Sequence, residues 1–226
     1  PTYFSPISQY SEIIKADEIV FEIEDNFQKQ SYRNRCYIYS GDGKQLLSIP
    51  IKHPNKEVRK KTKDTLVENN FPWQDQHFKS LKTCYRVSPY FEFFEDDIAL
   101  LFEKKYKFLH DVNIDTFLFI ADALQINANF SKTENYEVET SEKDFRILAN
   151  RKHQPKKPVD TYVQMFDDKH GFISNLSILD NNKKRMIDKG LFKYLARFKV
   201  NLKSVIVMYT PTLRQLIIHN VFQIKM

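Results

Sequence analysis

Cysteine, glycine and long apolar runs are scarce in this 226-residue chain, and each scarcity excludes a class of protein. The two cysteines, Cys36 and Cys84, are too few for a disulfide framework and lie in no zinc-ligand spacing. We therefore expect reduced thiols in a cytoplasmic protein with no metal site. Four glycines beside nineteen Phe and twelve Tyr argue against a linker-rich or fibrous chain. No run approaches the ~18–20 apolar residues of a membrane span.

Most of the chain has no net positive charge, although the net charge of the whole chain is +6. Residues 1–180 hold 25 Lys or Arg and 28 acids, a net −3, whereas residues 181–226 hold ten Lys or Arg and one acid, a net +9. A basic ending can meet nucleic acid, and RNA binding is one interpretation. The chain lacks the aromatic-interleaved motifs of common RNA-binding modules, so we do not expect a nucleic-acid partner.

The run QKQSYRNRC at 28–36 stands out against this slightly acidic background. It contains no acid, and where a simple turn would use Gly, Pro, Asn or Asp it carries Lys29, Arg33 and Arg35. Arginine can grip a phosphate or carboxylate with two parallel hydrogen bonds. In a strand, Arg33 and Arg35 share one face. The run is interpreted either as an anion-binding site or as a strand edge whose charges prevent unwanted pairing.

Hydrophobic spacing predicts an α+β fold: N-terminal antiparallel strands with a helix, followed by a mainly helical second half. Strand-like runs occupy 36–40 and 45–51, and Gly41-Asp42-Gly43-Lys44 joins them with the composition of a hairpin loop. Apolar spacing typical of helices occupies 73–87 and 89–105. A further helix is predicted over 116–124, with Asn113 or Asp115 as its cap.

Five segments together resemble the WbqC-like family. In chain order they are PTYFSPISQYSEIIKADEIVF at 1–21, NFQKQSYRNRCYI at 26–38, QLLSIPIKH at 45–53, WQDQHFKSLKTCYRVSPYFEFFEDDI at 73–98 and KHGFISNLSILD at 169–180. Such proteins are associated with gene clusters for bacterial O-antigen, the polysaccharide part of lipopolysaccharide. The resemblance implies a transferase that places a glycyl group on an amino sugar, with an anionic nucleotide-sugar or acyl carrier as substrate. The alternative is a non-catalytic binding or scaffolding protein of the same pathway. No residue pattern indicates a cofactor.

The resemblance ends after Asp180, where the composition also changes. Residues 1–180 are therefore predicted to form a single domain, followed by a divergent basic segment over 181–226. Two explanations of this segment stay open. It is either a divergent part of the same domain or an ending read out of frame from AT-rich coding DNA.

Acyl transfer to a sugar amine needs a base, oxyanion donors and cations that hold an anionic carrier. Lys29, Arg33 and Arg35 suit the carrier phosphate, and Tyr32 or Asn34 can donate to an oxyanion. His170 is the first candidate base, with Asp167 three residues earlier as a carboxylate partner for its ring. The alternative is a surface histidine. The resemblance also implicates Asn175 and Asp180 as polar ligands.

His77 is the second candidate base, on the predicted helix 73–87. Trp73 and Leu81 lie one helical turn on either side of it, a spacing that also fits a hydrogen-bonded core histidine. Cys84 follows on nearly the same face and could act as an acyl-carrying nucleophile. The alternative for Cys84 is a small buried apolar residue.

Overall fold

The computed structural model describes residues 1–52, 60–88, 91–124, 126, 129–138, 141, 143–152, 161–162 and 164–181. The basic ending predicted over 181–226 lies, from residue 182 onward, outside the described residues. The helices are α1 Ile7–Ile13, α2 Trp73–Tyr85, α3 Phe91–Glu103, α4 Leu109–Ala123 and α5 Asp167–His170. The strands are β1 Ile19–Phe21, β2 Arg35–Ser40, β3 Gly43–Ser48 and β4 Phe130–Lys132, and short 3₁₀ turns occupy Thr62–Asp64, Arg146–Ala149 and Ile178–Asn181.

The predicted fold class, α+β with N-terminal antiparallel strands followed by helices, is confirmed. Strands β2 and β3 form the predicted hairpin, in which Tyr39 pairs with Lys44 and Arg35 with Ser48. Strand β1 pairs in parallel with β4, which lies more than a hundred residues further along the chain. Local alternation can predict a strand but not such a distant partner.

Helix α4 begins earlier than its predicted start at residue 116. Asn113 and Asp115 therefore lie inside the helix, and the predicted cap at either residue is wrong. Asn113 is fully buried, and its side-chain amide donates to the backbone carbonyl of Arg33 at 2.9 Å. The side chain of Asn113 therefore joins the helix to a distant part of the chain and does not cap the helix. Helix-capping patterns do not predict such a tertiary hydrogen bond.

The hairpin separates two apolar clusters because successive strand side chains point to opposite faces. On one face Cys36, Ile38 and Leu47 join the main core with helices α2, α3 and α4. On the other face Tyr37 and Tyr39 pack with Tyr32, which precedes the hairpin, and with three residues far along the chain, Phe166, Ile173 and Leu176. The second, smaller cluster underlies the candidate site.

Within the described residues, no helix is long and apolar enough to span a membrane.

Candidate functional site

A pocket of about 350 Å³ opens beside the second cluster. We call it the basic pocket; its lining residues are Tyr32, Lys44, Arg151, Lys152, Ile173, Ser174 and Asn175. Tyr32 and Asn175 are buried and form its floor, whereas Lys44, Arg151 and Lys152 are exposed around it. Three cations and no carboxylate line the pocket, so it presents a positive surface to an anion.

Tyr37 positions two of these cations. The Nζ atom of Lys44 lies 4.3 Å from the centre of the Tyr37 ring, a cation–π contact. The Nη1 atom of Arg151 donates a hydrogen bond to the Tyr37 hydroxyl at 2.9 Å. Partial burial of the ammonium group, and then the neighbouring charge of Arg151, lower the pKa of Lys44. Two like charges are therefore held close together by one aromatic side chain.

Asn175 and Tyr32 form the polar floor of the pocket. Asn175 adopts a left-handed backbone conformation with φ of 57°, which asparagine tolerates better than most residues. Its Oδ1 atom accepts a hydrogen bond from the backbone N–H of Ser8 at 3.3 Å. Burial raises the pKa of Tyr32, and the charge of Arg151 partly opposes that rise. The Asn175 side chain also lowers the pKa of this neighbouring Tyr32 hydroxyl.

Of the residues predicted to bind a ligand, Tyr32 and Asn175 line the basic pocket. Arg33 does not, because its guanidinium forms a buried ion pair with Asp25. Arg33 is only 5% exposed, and burial lowers its pKa. Strand β2 starts at Arg35, so Arg33 precedes the strand and the shared strand face predicted for the two arginines is wrong.

The other members of the predicted basic run also lie outside the lining of the pocket. Lys29 is exposed, and Arg35 is half-buried on the hairpin face that carries Tyr37. Asn34 is buried, and its side-chain amide donates to the backbone carbonyl of Ile49 at 3.3 Å. The run therefore contributes Tyr32 to the pocket, whereas Arg33, its most buried arginine, forms an ion pair inside the fold.

His170 is exposed at the end of α5 and contacts the hairpin turn. Its Nε2 atom lies 2.8 Å from the backbone oxygen of Gly41. A carbonyl oxygen only accepts, so Nε2 carries the proton and Nδ1 is left to accept one. Asp167 uses its Oδ2 atom to accept from the backbone N–H of Gln164 at 3.2 Å. Neither residue lines the basic pocket. The His170 ring lies tilted beside that of Tyr39, the strand partner of Lys44, with ring centres 6.2 Å apart.

His77 lies in the main core and is 5% exposed. The Tyr3 hydroxyl is 2.9 Å from its Nδ1 atom, and the Trp73 ring packs edge-on against it. Burial lowers the pKa of His77 to about 4, while a hydrogen bond with the Ser48 backbone acts in the opposite direction. This is the environment of a neutral core histidine, the second of the two interpretations of its helical spacing.

Cys84 and Asp180 lie in the interior next to Tyr85 and Tyr39. Burial raises the pKa of the Cys84 thiol to about 11, which disfavours the thiolate that a nucleophile requires. Asp180 is fully buried, and the Tyr85 hydroxyl donates to its Oδ1 atom at 3.2 Å. Burial raises the pKa of Asp180 to about 7. Neither residue lines the pocket.

Five lining residues and one neighbour were not predicted from the sequence: Lys44, Arg151, Lys152, Ile173 and Ser174 in the lining, and Tyr37 beside them. The sequence predicts Lys44 in the hairpin turn, whereas in the structure it lies in strand β3 opposite Tyr39 and therefore on the face of Tyr37 and Tyr39. Arg151 and Lys152 begin the basic run RKHQPKKP at 151–158. No sequence signal connects that run with the hairpin, more than a hundred residues away.

Among the described residues, no group of three or more His, Cys, Asp or Glu could hold a metal ion. The fold and the site define an α+β protein with an open pocket that three cations and no carboxylate line. The family comparison identifies it further: the model of the WbqC-like protein family matches residues 1–157, and the chain belongs to that family. The matched range includes Tyr32, Lys44, Arg151 and Lys152. Searches of curated proteins and of solved structures find no match.

Proposed function

We propose that this protein is a transferase of bacterial surface-polysaccharide biosynthesis that binds an anionic substrate in the basic pocket. The reaction is aminoacyl transfer, of a glycyl group, to an amino sugar. The observation that carries the proposal is the convergence of Lys44, Arg151 and Lys152 on one pocket without a lining acid. Membership of the WbqC-like family supports the pathway.

In the proposed reaction the sugar amine attacks the carbonyl carbon of the glycyl donor. The new C–N bond forms, the bond from the carbonyl carbon to the carrier oxygen or sulfur breaks, and the amine loses one proton. His170 can take that proton on Nδ1, because Nε2 is engaged with Gly41. Ser174 and Tyr32 are the hydroxyl donors available at the pocket.

A non-catalytic role in the same pathway is the second candidate, and one observation favours it. His170, Asp167 and His77 all lie outside the lining of the basic pocket. A protein that only recruits an anionic partner needs the cations but no base.

Binding of a UDP-linked amino sugar, measured by isothermal titration calorimetry, tests the pocket. We expect Lys44→Gln and Arg151→Gln each to weaken binding by about ten-fold, since each removes a charge-assisted hydrogen bond. Lys29→Gln is the matched control, because Lys29 is an exposed cation outside the pocket. Equal effects of all three substitutions would contradict the assignment of the pocket.

Mass spectrometry after incubation with labelled glycine, ATP, a carrier protein and nucleotide-linked amino sugars separates the two roles. A glycylated sugar that disappears in His170→Gln, while binding persists, supports transfer. Binding without any acyl product supports recruitment alone. Absence of binding overturns both.

A further inference from the structure

The charge arrangement in the basic pocket indicates what kind of anion it fits. Lys44 and Arg151 are both held on Tyr37, one over the ring and one at the hydroxyl. Lys152 adds a third cation at the same opening. A singly charged anion would leave an excess of positive charge in this cluster, whereas two negative charges offset the mutual repulsion of the two anchored cations.

The hydrogen bonds of the pocket floor have a defined direction. A backbone N–H can only donate, so the Ser8 contact identifies the Asn175 side-chain oxygen as an acceptor. Asn175 also lowers the pKa of the Tyr32 hydroxyl, which is the effect of a donor beside the phenol oxygen. Tyr32 lines the pocket, so its hydroxyl proton can be donated to a ligand there.

The same direction holds at the wall of the pocket. Arginine can only donate, so the Tyr37 oxygen accepts from Arg151. Lys44 and Arg151 can therefore turn only donors toward a ligand, and the Tyr32 hydroxyl can add a further donor. A fully ionised phosphate offers only acceptor oxygens, which matches such a set.

We propose that the basic pocket recognises a doubly charged phosphate group, with Lys44 and Arg151 as its cationic ligands and the Tyr32 hydroxyl as a directed donor. The inference rests on the proposed function, because it uses the same pocket and names the chemistry of its substrate. Two sources carry this double charge, namely the diphosphate of a nucleotide-sugar, with one charge on each phosphate, and the phosphate monoester of a sugar phosphate. A singly charged phosphodiester, such as the link between a carrier protein and its prosthetic arm, fits less well.

Calorimetric titration of the full chain with four probes tests the inference. The probes are UDP-N-acetylglucosamine, N-acetylglucosamine 1-phosphate, diethyl phosphate and neutral N-acetylglucosamine. We expect the first two to bind about ten-fold or more tightly than diethyl phosphate, and the neutral sugar to bind weakest. The monoester has a second pKa of about 6, so its binding should weaken from pH 7.5 to pH 5 while that of the diphosphate changes less.

Tyrosine-to-phenylalanine variants test the directed donor. We expect Tyr32→Phe to weaken binding of the doubly charged probes by about ten-fold, with a smaller effect on diethyl phosphate. Tyr10→Phe is the matched control: Tyr10 is buried in the main core, and its hydroxyl has no hydrogen-bond partner among the described residues. Thermal unfolding of each variant verifies that the fold is retained.

The two proposals fail in different ways. Equal affinity for singly and doubly charged probes, or no effect of Tyr32→Phe, overturns the doubly charged phosphate while leaving anion binding intact. No binding of any charged probe overturns the proposed function as well. Tighter binding of the diphosphate than of the monoester identifies a nucleotide-sugar as the source, and the reverse order identifies a sugar phosphate.

Discussion

Arg33 and Asp25 form a buried ion pair. The residue type alone does not show whether an arginine is paired in the interior or binds a ligand. Thr62 also donates to Asp25 at 2.6 Å, so the carboxylate is held on more than one side. Losing one partner of such a pair leaves an uncompensated buried charge, which typically costs about 3–5 kcal/mol. Arg33 therefore stabilises the start of the hairpin, while Lys44 and Arg151 remain available to a ligand.

His77 should make the protein less stable in acid. Its pKa is about 4 in the fold and near 6.5 when unfolded, so the unfolded chain takes up the proton first as the pH falls. Stability from this residue is present above pH 6.5 and is lost as the pH drops toward 4, by up to about 3 kcal/mol. Denaturant unfolding at pH 7 and pH 4.5 measures the loss.

Two glutamine variants separate His77 from the carboxylates that titrate in the same range. His77→Gln should show a smaller difference between pH 7 and pH 4.5 than the unsubstituted protein. His170→Gln, which leaves the buried His77 in place, should keep the full difference. The same pH difference in all three proteins would contradict the assignment to His77.

At the scale of the element, the β2–β3 hairpin decides which side chains reach the pocket. Its alternation turns Cys36 and Ile38 toward the main core and Tyr37 toward Lys44 and Arg151. A slip of one residue in register would exchange the two faces. The turn that joins the strands therefore fixes the register, and the register decides which side chains face the pocket.

Two glycines of that turn give a matched test. Gly43 has φ of 99°, a conformation that L side chains rarely adopt, and a Cβ added there would meet no other atom within 4 Å. Gly43→Ala should lower the free energy of unfolding by about 1–2 kcal/mol, because the added Cβ strains the backbone. Gly41 also faces open space but lacks a positive φ, so Gly41→Ala should have a smaller effect. Chemical denaturation of both variants tests this, and equal losses would argue against backbone strain.

At the scale of the whole molecule, residues 1–181 contain both apolar clusters. Leu176 and Leu179 are the last described residues to enter them, one in each cluster. The sequence predicts a single domain over residues 1–180, and we propose that this domain extends to Asn181, the end of the last 3₁₀ turn. Residues 1–180 carry a slightly negative net charge, so the cations of the basic pocket are a local concentration of positive charge.

A chain that ends at Asn181 tests the domain. It should unfold in one cooperative transition with a midpoint close to that of the full chain, because both clusters are retained. Thermal unfolding followed by circular dichroism compares the two chains. A truncated chain that is insoluble or melts far lower would show that residues after 181 belong to the domain.

The sequence by itself determined the fold class, the hairpin and helices α2 and α3. Each depends on local spacing, with a period of two in the strands and of three to four in the helices. It also indicated the family, because the five segments occur in order along the chain.

Only the tertiary structure decided the composition of the site. Tyr32, Lys44, Arg151 and Asn175 come from separate parts of the chain, and packing of the second cluster brings them to one pocket. The tertiary structure also shows that Arg33 is paired with Asp25 and is not one of the cations that line the pocket. Local patterns tell which face of an element is buried, but they do not tell which distant segment covers that face. A buried structural arginine and an exposed ligand-binding one therefore look alike in the sequence.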